Sequence, residues 1–183
     1  MKNSLIRKWW TGHKIDICYV ICIMIAGTLL HFIYDWTGHN MFAALFGAVN
    51  ESVWEHLKLF FVPAFFFTIF GYYLMGEQYP NYLWCQMKSI LSGIVFIIAA
   101  YFTYSGITEQ EWMWMDIGIF YLSAVFAGIV SGRCRTGACS EVPKSEKYAG
   151  AVLLVLWAMF VWFTYSVPDI LVKWLPGLFL SEA

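Results

Sequence analysis

The run Asn50-Glu51-Ser52-Val53-Trp54-Glu55-His56-Leu57-Lys58 sets two acids, an imidazole, a hydroxyl, an amide and an amine at the mouth of a strongly apolar stretch. His31, Asp35 and His39 lie just upstream. Ionisable side chains at membrane depth are costly, and they mark functional sites by default. Three chemistries use these residue types. Imidazole nitrogens and carboxylate oxygens suit a divalent metal, zinc first among them. In that reading His31, Asp35 and His56 hold the ion, and Glu51 or Glu55 serves as a fourth ligand or moves protons. The second chemistry is nucleophilic: Ser52 and His56 are four apart on one helix face, and Asp35 would orient the imidazole. The third is a proton or ion relay through the same His/Asp/Glu set. Asn50, Lys58, His39 and Asp116 complete the expected pocket.

A structural account competes for each of these residues. Ser52-Val53-Trp54-Glu55 has the form of a capping box, with Ser52 as cap and Glu55 reaching back to its amide. Glu51 and Glu55 suit the positive end of a helix dipole. Lys58 can pair with Glu55 three residues earlier, and Trp54 fits an interfacial aromatic belt with Trp36, Trp112 and Trp114. Only His56 lacks a structural task in this account. The joint occurrence favours a site. A short connection brings His31 and Asp35 within reach of Glu51, Glu55 and His56.

Positioning these groups requires membrane-spanning helices. The chain is 61% hydrophobic and 13% charged, against about 25% charged in soluble domains. Five apolar runs approach or exceed the roughly 18 residues that suggest a span. They cover about 15–34, 57–75, 87–107, 115–132 and 148–167. Residues 41–49 are too few to cross and read as a re-entrant or interfacial helix. The fold class is therefore an all-α, polytopic bundle in one domain. Gly38 is placed to end the first span and Asn40 to cap the short helix. Pro63 denies the Leu59 carbonyl its usual donor. Ala124, Gly128 and Gly132 form a small-residue stripe suited to close helix packing within the chain, with a homo-oligomer as the alternative. Cys134 and Cys139 read as reduced, idle thiols, and residues 168–183 as a short amphipathic tail.

With five spans, Lys2, Arg7, Lys8, Lys14, Lys88, Arg133, Arg135, Lys144 and Lys147 share one side, against Lys58 and Lys173 on the other. The positive-inside rule then predicts a cytoplasmic N-terminus and an external C-terminus, in a bacterial cytoplasmic membrane. The opposite side carries Asp35, Glu51, Glu55, Glu109, Glu111, Asp116, Asp169 and Glu182. An acidic outer face attracts cations and repels free anions, so no nucleic-acid partner is expected. The expected partners are membrane lipid and a small molecule or cation at that face.

The string H-F-x-Y-D at His31–Asp35, followed by V-N-E-S-V-W-E-H-L-K-L at Val49–Leu59, resembles a family of small bacterial integral membrane proteins of unknown function. The resemblance implies that the two groups form one site, and it implies no activity. The function expected from the residues is a metal-dependent hydrolase acting on a lipid-phase or interfacial substrate. The alternatives are a cation or solute binding or transport protein, and a non-catalytic accessory subunit.

Overall fold

A computed structural model describes residues 2–136, 146–167 and 176–179. Its helices are α1 (Lys2–Trp36), α2 (Met41–Ala44), α3 (Val53–Met75), α4 (Tyr82–Thr108), α5 (Met113–Thr136), α6 (Glu146–Tyr165) and α7 (Pro176–Phe179). The fold is all-α, and no strand occurs among the described residues. Five helical segments are long and apolar enough to cross a membrane: His13–Trp36, Val53–Met75, Tyr82–Thr108, Met113–Thr136 and Tyr148–Tyr165. Each begins before the hydropathy-based expectation or close to it, and for α3 the Ser52 cap sets the start. The short helix is smaller than expected. It covers only Met41–Ala44, and turns carry the chain to α3.

Helix α3 is the axis of the bundle. Its apolar window is 61% buried, against 17–28% for the other spans. It packs on α1, α4 and α6. Leu57 to Phe65 is buried without a break, as suits a helix that is apolar on every side. Helix α1 is sided instead. Ile17, Ile21, Ile25 and Leu29 face outward, while Tyr19 and Ile23 face the core. That outward stripe is the surface a bilayer would cover.

Glycine sets the closest approaches. A Cβ at Gly128 would strike Val20, and one at Gly132 would lie 2.7 Å from the Asp16 carboxylate. The small-residue stripe of α5 therefore packs within the chain, against α1. Gly27 lets α1 meet Phe120 and the Leu59 carbonyl, where a Cβ would come within 2.5 and 2.8 Å. That carbonyl is the one Pro63 leaves without its helical partner. Near the same end of α5, Arg135 pairs with Asp16 at 2.5 Å and Cys85 is bonded to Cys134. The disulfide corrects the expectation of idle thiols for Cys134. Cys85 starts α4 in a position that spacing along the chain does not reveal. Cys139 and residues 168–175 lie outside the described residues. Of the tail, Pro176–Phe179 is helical, and Phe179 packs on Trp54 and Phe163. Trp54 thus faces inward rather than joining an aromatic belt.

Candidate metal centre

Helix α1 ends as its sequence indicates. Gly38 adopts φ +66°, and Asn40 accepts the Phe42 amide at 2.8 Å to cap α2. His39 also takes a left-handed conformation, φ 62°, which turns its ring back onto Asp35. His39 Nε2 and Asp35 Oδ1 are 3.2 Å apart, on largely exposed side chains. The segment after α2 then folds against α1. A Cβ on Gly47 would strike Ile33 and would lie 2.6 Å from the Leu30 carbonyl. This close approach returns the chain beside His31.

The turn into α3 is built by Asn50 and Ser52. Asn50 Oδ1 accepts the Ser52 amide at 3.0 Å, and Ser52 Oγ accepts the Glu55 amide at 3.4 Å. Ser52 is a helix cap, as expected, and its lone pairs are committed there rather than to nucleophilic attack. The reciprocal half of the capping box is absent, because Asn50 already holds the Ser52 amide.

Glu55 is drawn inward instead. Its Oε2 lies 2.6 Å from Lys58 Nζ and accepts the Val49 amide at 3.1 Å, and its Oε1 accepts the Thr164 hydroxyl at 2.8 Å. Lys58 Nζ also donates to the Ala44 carbonyl at 2.9 Å and to Thr164 Oγ1 at 2.8 Å. All three ammonium protons and both carboxylate oxygens are thus used. The pair is fully enclosed and ties α3 to α6 and to the connecting segment. This corrects two expectations. Glu55 is not positioned to move protons for a metal, and Lys58 is not an open pocket residue.

What remains open is a group of three. His31 on α1, Glu51 in the turn and His56 on α3 each offer a ligand atom, and these atoms lie within 4.8 Å of one another. Glu51 Oε2 is 3.4 Å from His56 Nε2, and Glu51 Oε1 is 4.0 Å from His31 Nε2. The imidazole centroids are 5.4 Å apart. His56 Nδ1 lies 2.9 Å from the Ser52 carbonyl. Only a donor satisfies that contact, so a proton sits on Nδ1, and Nε2 is the ring nitrogen that faces Glu51. Metal-ligating histidines are commonly oriented by such a bond from the other ring nitrogen. Zinc–nitrogen and zinc–oxygen bonds of roughly 2.0–2.2 Å put tetrahedral donors about 3.3 Å apart. Glu51 and His56 already stand near that spacing, and the remaining donors, within 4.8 Å, would have to draw closer around an ion.

Asp35 is not in this group. It lies one turn beyond His31 on α1 and is held by His39, so the carboxylate grouped with the two imidazoles is Glu51. Asp116 is near by another route. It accepts the Tyr104 hydroxyl and lines a cavity that also reaches His31, Glu51 and His56. This cavity, of about 540 Å³, runs between α1, α3, α4 and α5. Gly27, Leu59, Ile97, Ile119 and Phe120 make its apolar part, and Tyr101 and Glu111 lie at its polar end.

The sequence profile of one family, described as "Family of unknown function (DUF6512)", matches residues 2–174. The chain belongs to DUF6512. The match takes in both His31–Asp35 and Val49–Leu59, the segments that carry the candidate centre of this DUF6512 member. No curated protein and no solved structure is significantly similar to the chain.

Two features of the site region escape sequence reasoning. Thr164 lies 109 residues from Glu55 in the chain, and no local spacing joins them. Glu51 as a ligand was legible as a candidate, but its preference over Asp35 depends on the His39 turn.

Proposed function

We propose that this protein is a metal-dependent membrane hydrolase, with His31, Glu51 and His56 as ligands of a divalent ion, zinc first among them. The observation that carries the reading is the His56 ring, fixed by Ser52 with its Nε2 aimed at a shared carboxylate beside His31. Two imidazoles and one carboxylate are a ligand set of catalytic zinc sites, which keep a further position open. His31, Glu51 and His56 would hold the ion, and it would supply Lewis-acid chemistry and a more acidic water. The residues supply the rest. Ser52 orients the His56 ring, Asp116 is a carboxylate on the cavity wall placed for proton transfer, and the apolar walls admit a lipid-phase substrate.

The charge bias of the loops supports an outward-facing site and a cytoplasmic N-terminus. Cys85 and Cys134 lie at the end so assigned to the reducing compartment, where disulfides are rare. The disulfide is thus the signal that opposes the charge bias, and labelling decides between the two. Impermeant labelling of Glu109→Cys and Glu77→Cys in intact cells tests this: label on 109 alone is expected, and label on 77 alone inverts the topology.

The test of the centre is metal content of tag-free protein by plasma mass spectrometry. About one zinc, iron or manganese per chain is expected, lost in His56→Ala. A metal-free wild type after purification without chelators and reconstitution with each ion would refute it.

A further inference from the structure

The cavity beside the histidines has a floor close beneath them. Gly27, Leu59, Ile97 and Phe120 line its apolar part. Each stands one helical turn deeper in the bundle than His31, His56, Tyr101 and Asp116 respectively. Phe120 closes the floor, since a Cβ on Gly27 would come within 2.5 Å of its ring and 2.8 Å of the Leu59 carbonyl. The room is therefore sideways rather than down the bundle. Phe32 of α1 and Ile117 of α5 line the cavity and are 45% and 47% exposed on the outer surface. One turn deeper, Thr28 and Tyr121 join the same two helices at 3.3 Å. Thr28 donates to the Met24 carbonyl at 2.7 Å, so the Tyr121 hydroxyl is the donor between the two helices. That hydrogen bond is the sill of a slot between α1 and α5, with the histidines behind it.

The histidines also sit at a definite depth. The span His13–Trp36 has 24 residues. It is about 36 Å long against a hydrocarbon core of about 30 Å, so each end stands about 3 Å clear. His31 lies roughly 8 Å along the axis from Trp36, and His56 about 5 Å from Val53. Both imidazoles are therefore just inside the edge of the hydrocarbon. The acyl carbonyl of a lipid lies at that edge, whereas a phosphate headgroup stands further out in the polar region.

We propose that the centre takes a single-chain acyl ester, such as a monoacylglycerol, which enters from the bilayer through the slot between α1 and α5. Its carbonyl lies at His31, Glu51 and His56, and its tail passes over the Thr28–Tyr121 sill into lipid. This names the substrate class of the hydrolase proposed above and rests on that reading for the chemistry, though not for the route of entry. The cavity, at about 540 Å³, falls in the range of roughly 300–1,000 Å³ that encloses one drug-sized molecule. It holds the ester linkage and a small alcohol part, and the slot passes one tail. In hydrolysis a water oxygen bonds to the acyl carbon and the bond from that carbon to the alcohol oxygen breaks. One water proton reaches the leaving oxygen, giving a carboxylic acid and an alcohol. Asp116, on the cavity wall, is the carboxylate placed to carry it.

The test uses a long-chain methyl ketone with a diazirine on its tail, which keeps the carbonyl and has no bond to hydrolyse. The matching methyl ether lacks the carbonyl. The full chain, loaded with zinc, is held in nanodiscs of dialkyl-ether phosphatidylcholine, which adds no competing ester. After irradiation, peptide mass spectrometry maps the label. Label concentrated on Phe32, Ile117 and Tyr121 is expected, about fivefold stronger for the ketone than for the ether. Ile117→Trp, which narrows the slot, should reduce it about fivefold or more. Leu122→Trp, at an exposed position of α5 that does not line the cavity, should leave it unchanged. Label spread evenly over the exposed helix faces of the wild type overturns the inference, even if Ile117→Trp fails to fold. Equal labelling by ketone and ether overturns the assignment of the carbonyl to the centre. Release of oleate from monooleoylglycerol is expected, and release from dioleoylphosphatidylcholine alone overturns the single-chain assignment. Metal content is read on the same samples. Bound metal without slot labelling refutes this inference alone, and slot labelling with neither metal nor hydrolysis refutes the hydrolase reading alone.

Discussion

Glu51 and Glu55 are the same residue type, one helical turn apart, and they have opposite fates. Glu55 is 2% exposed and every lone pair it uses is answered, by Lys58, Thr164 and the Val49 amide. Glu51 is exposed and faces two imidazoles that pair with no other acid among the described residues. Burial with complete pairing makes a structural element, because any movement of a buried charge leaves its partner uncompensated. Partial exposure with unfilled valence leaves a group free to take a ligand. The difference follows from the helix geometry. Position 55 falls on the face of α3 that meets α6, while position 51 precedes the helix and projects toward α1. In a polar cluster, the residue with spare bonding capacity is the better functional candidate, even where the other is the more deeply buried.

Substitution can break this contrast. Glu55→Ala is expected to cost about 3–5 kcal/mol, because Lys58 would remain buried without its counter-charge. Thermal unfolding in detergent measures the loss, and Glu55→Met/Lys58→Met should recover most of it. An unchanged melting point for Glu55→Ala would show the pair is not structural. Thr164→Val should cost about 1–3 kcal/mol, since it leaves hydrogen-bonding capacity of both ions unmet. Glu51→Ala reverses the pattern. Metal affinity falls at least about tenfold in a competition titration, while the metal-free protein melts within about 0.5 kcal/mol of the wild type. Loss of stability without loss of metal would erase the distinction between the two glutamates. Asp35→Asn sharpens it, since metal affinity should stay within about twofold if His39 alone engages that carboxylate.

The smallest effect concerns a third glutamate, at the other end of the bundle. Glu146 accepts the Leu83 and Trp84 amides at 2.7 and 3.0 Å and so caps the first turn of α4. Burial holds its carboxyl above the usual 4.5, and those two amides pull the other way. A raised folded-state pKa favours the protonated form. The associated stability is therefore fully present below pH 4.5 and is lost as pH rises through the folded value. Wild-type stability should decline slightly over that interval relative to Glu146→Gln, with both followed by thermal melts across a pH series. Parallel curves would show that burial does not set this carboxyl's affinity for protons.

The spans were legible because lipid forces long apolar runs, and Gly38, Asn40 and Ser52 announced their caps through local chemistry. His31, Glu51 and His56 were legible as types within one short stretch. Which carboxylate joins the histidines was not, because the choice rests on the left-handed His39 and on the Gly47 contact with α1. The partners Thr164, Cys85 and Asp16 come from distant helices, and only the packing of the bundle brings them in. The reduction of the expected nine-residue helix to Met41–Ala44 has a similar cause. Apolar character there serves contact with α1, and Gly47 serves a turn rather than a helix.

Helix α5 is fixed at one end and flanks the cavity at the other. Gly128, Gly132, Arg135 and Cys134 bind its last turns to α1 and α4, while Asp116, Ile117 and Tyr121 stand at the opening. Its opening end is held differently, by hydrogen bonds from Tyr104 to Asp116 and between Tyr121 and Thr28. Widening the slot between α1 and α5 therefore costs those hydrogen bonds and leaves the glycine contacts, the ion pair and the disulfide in place.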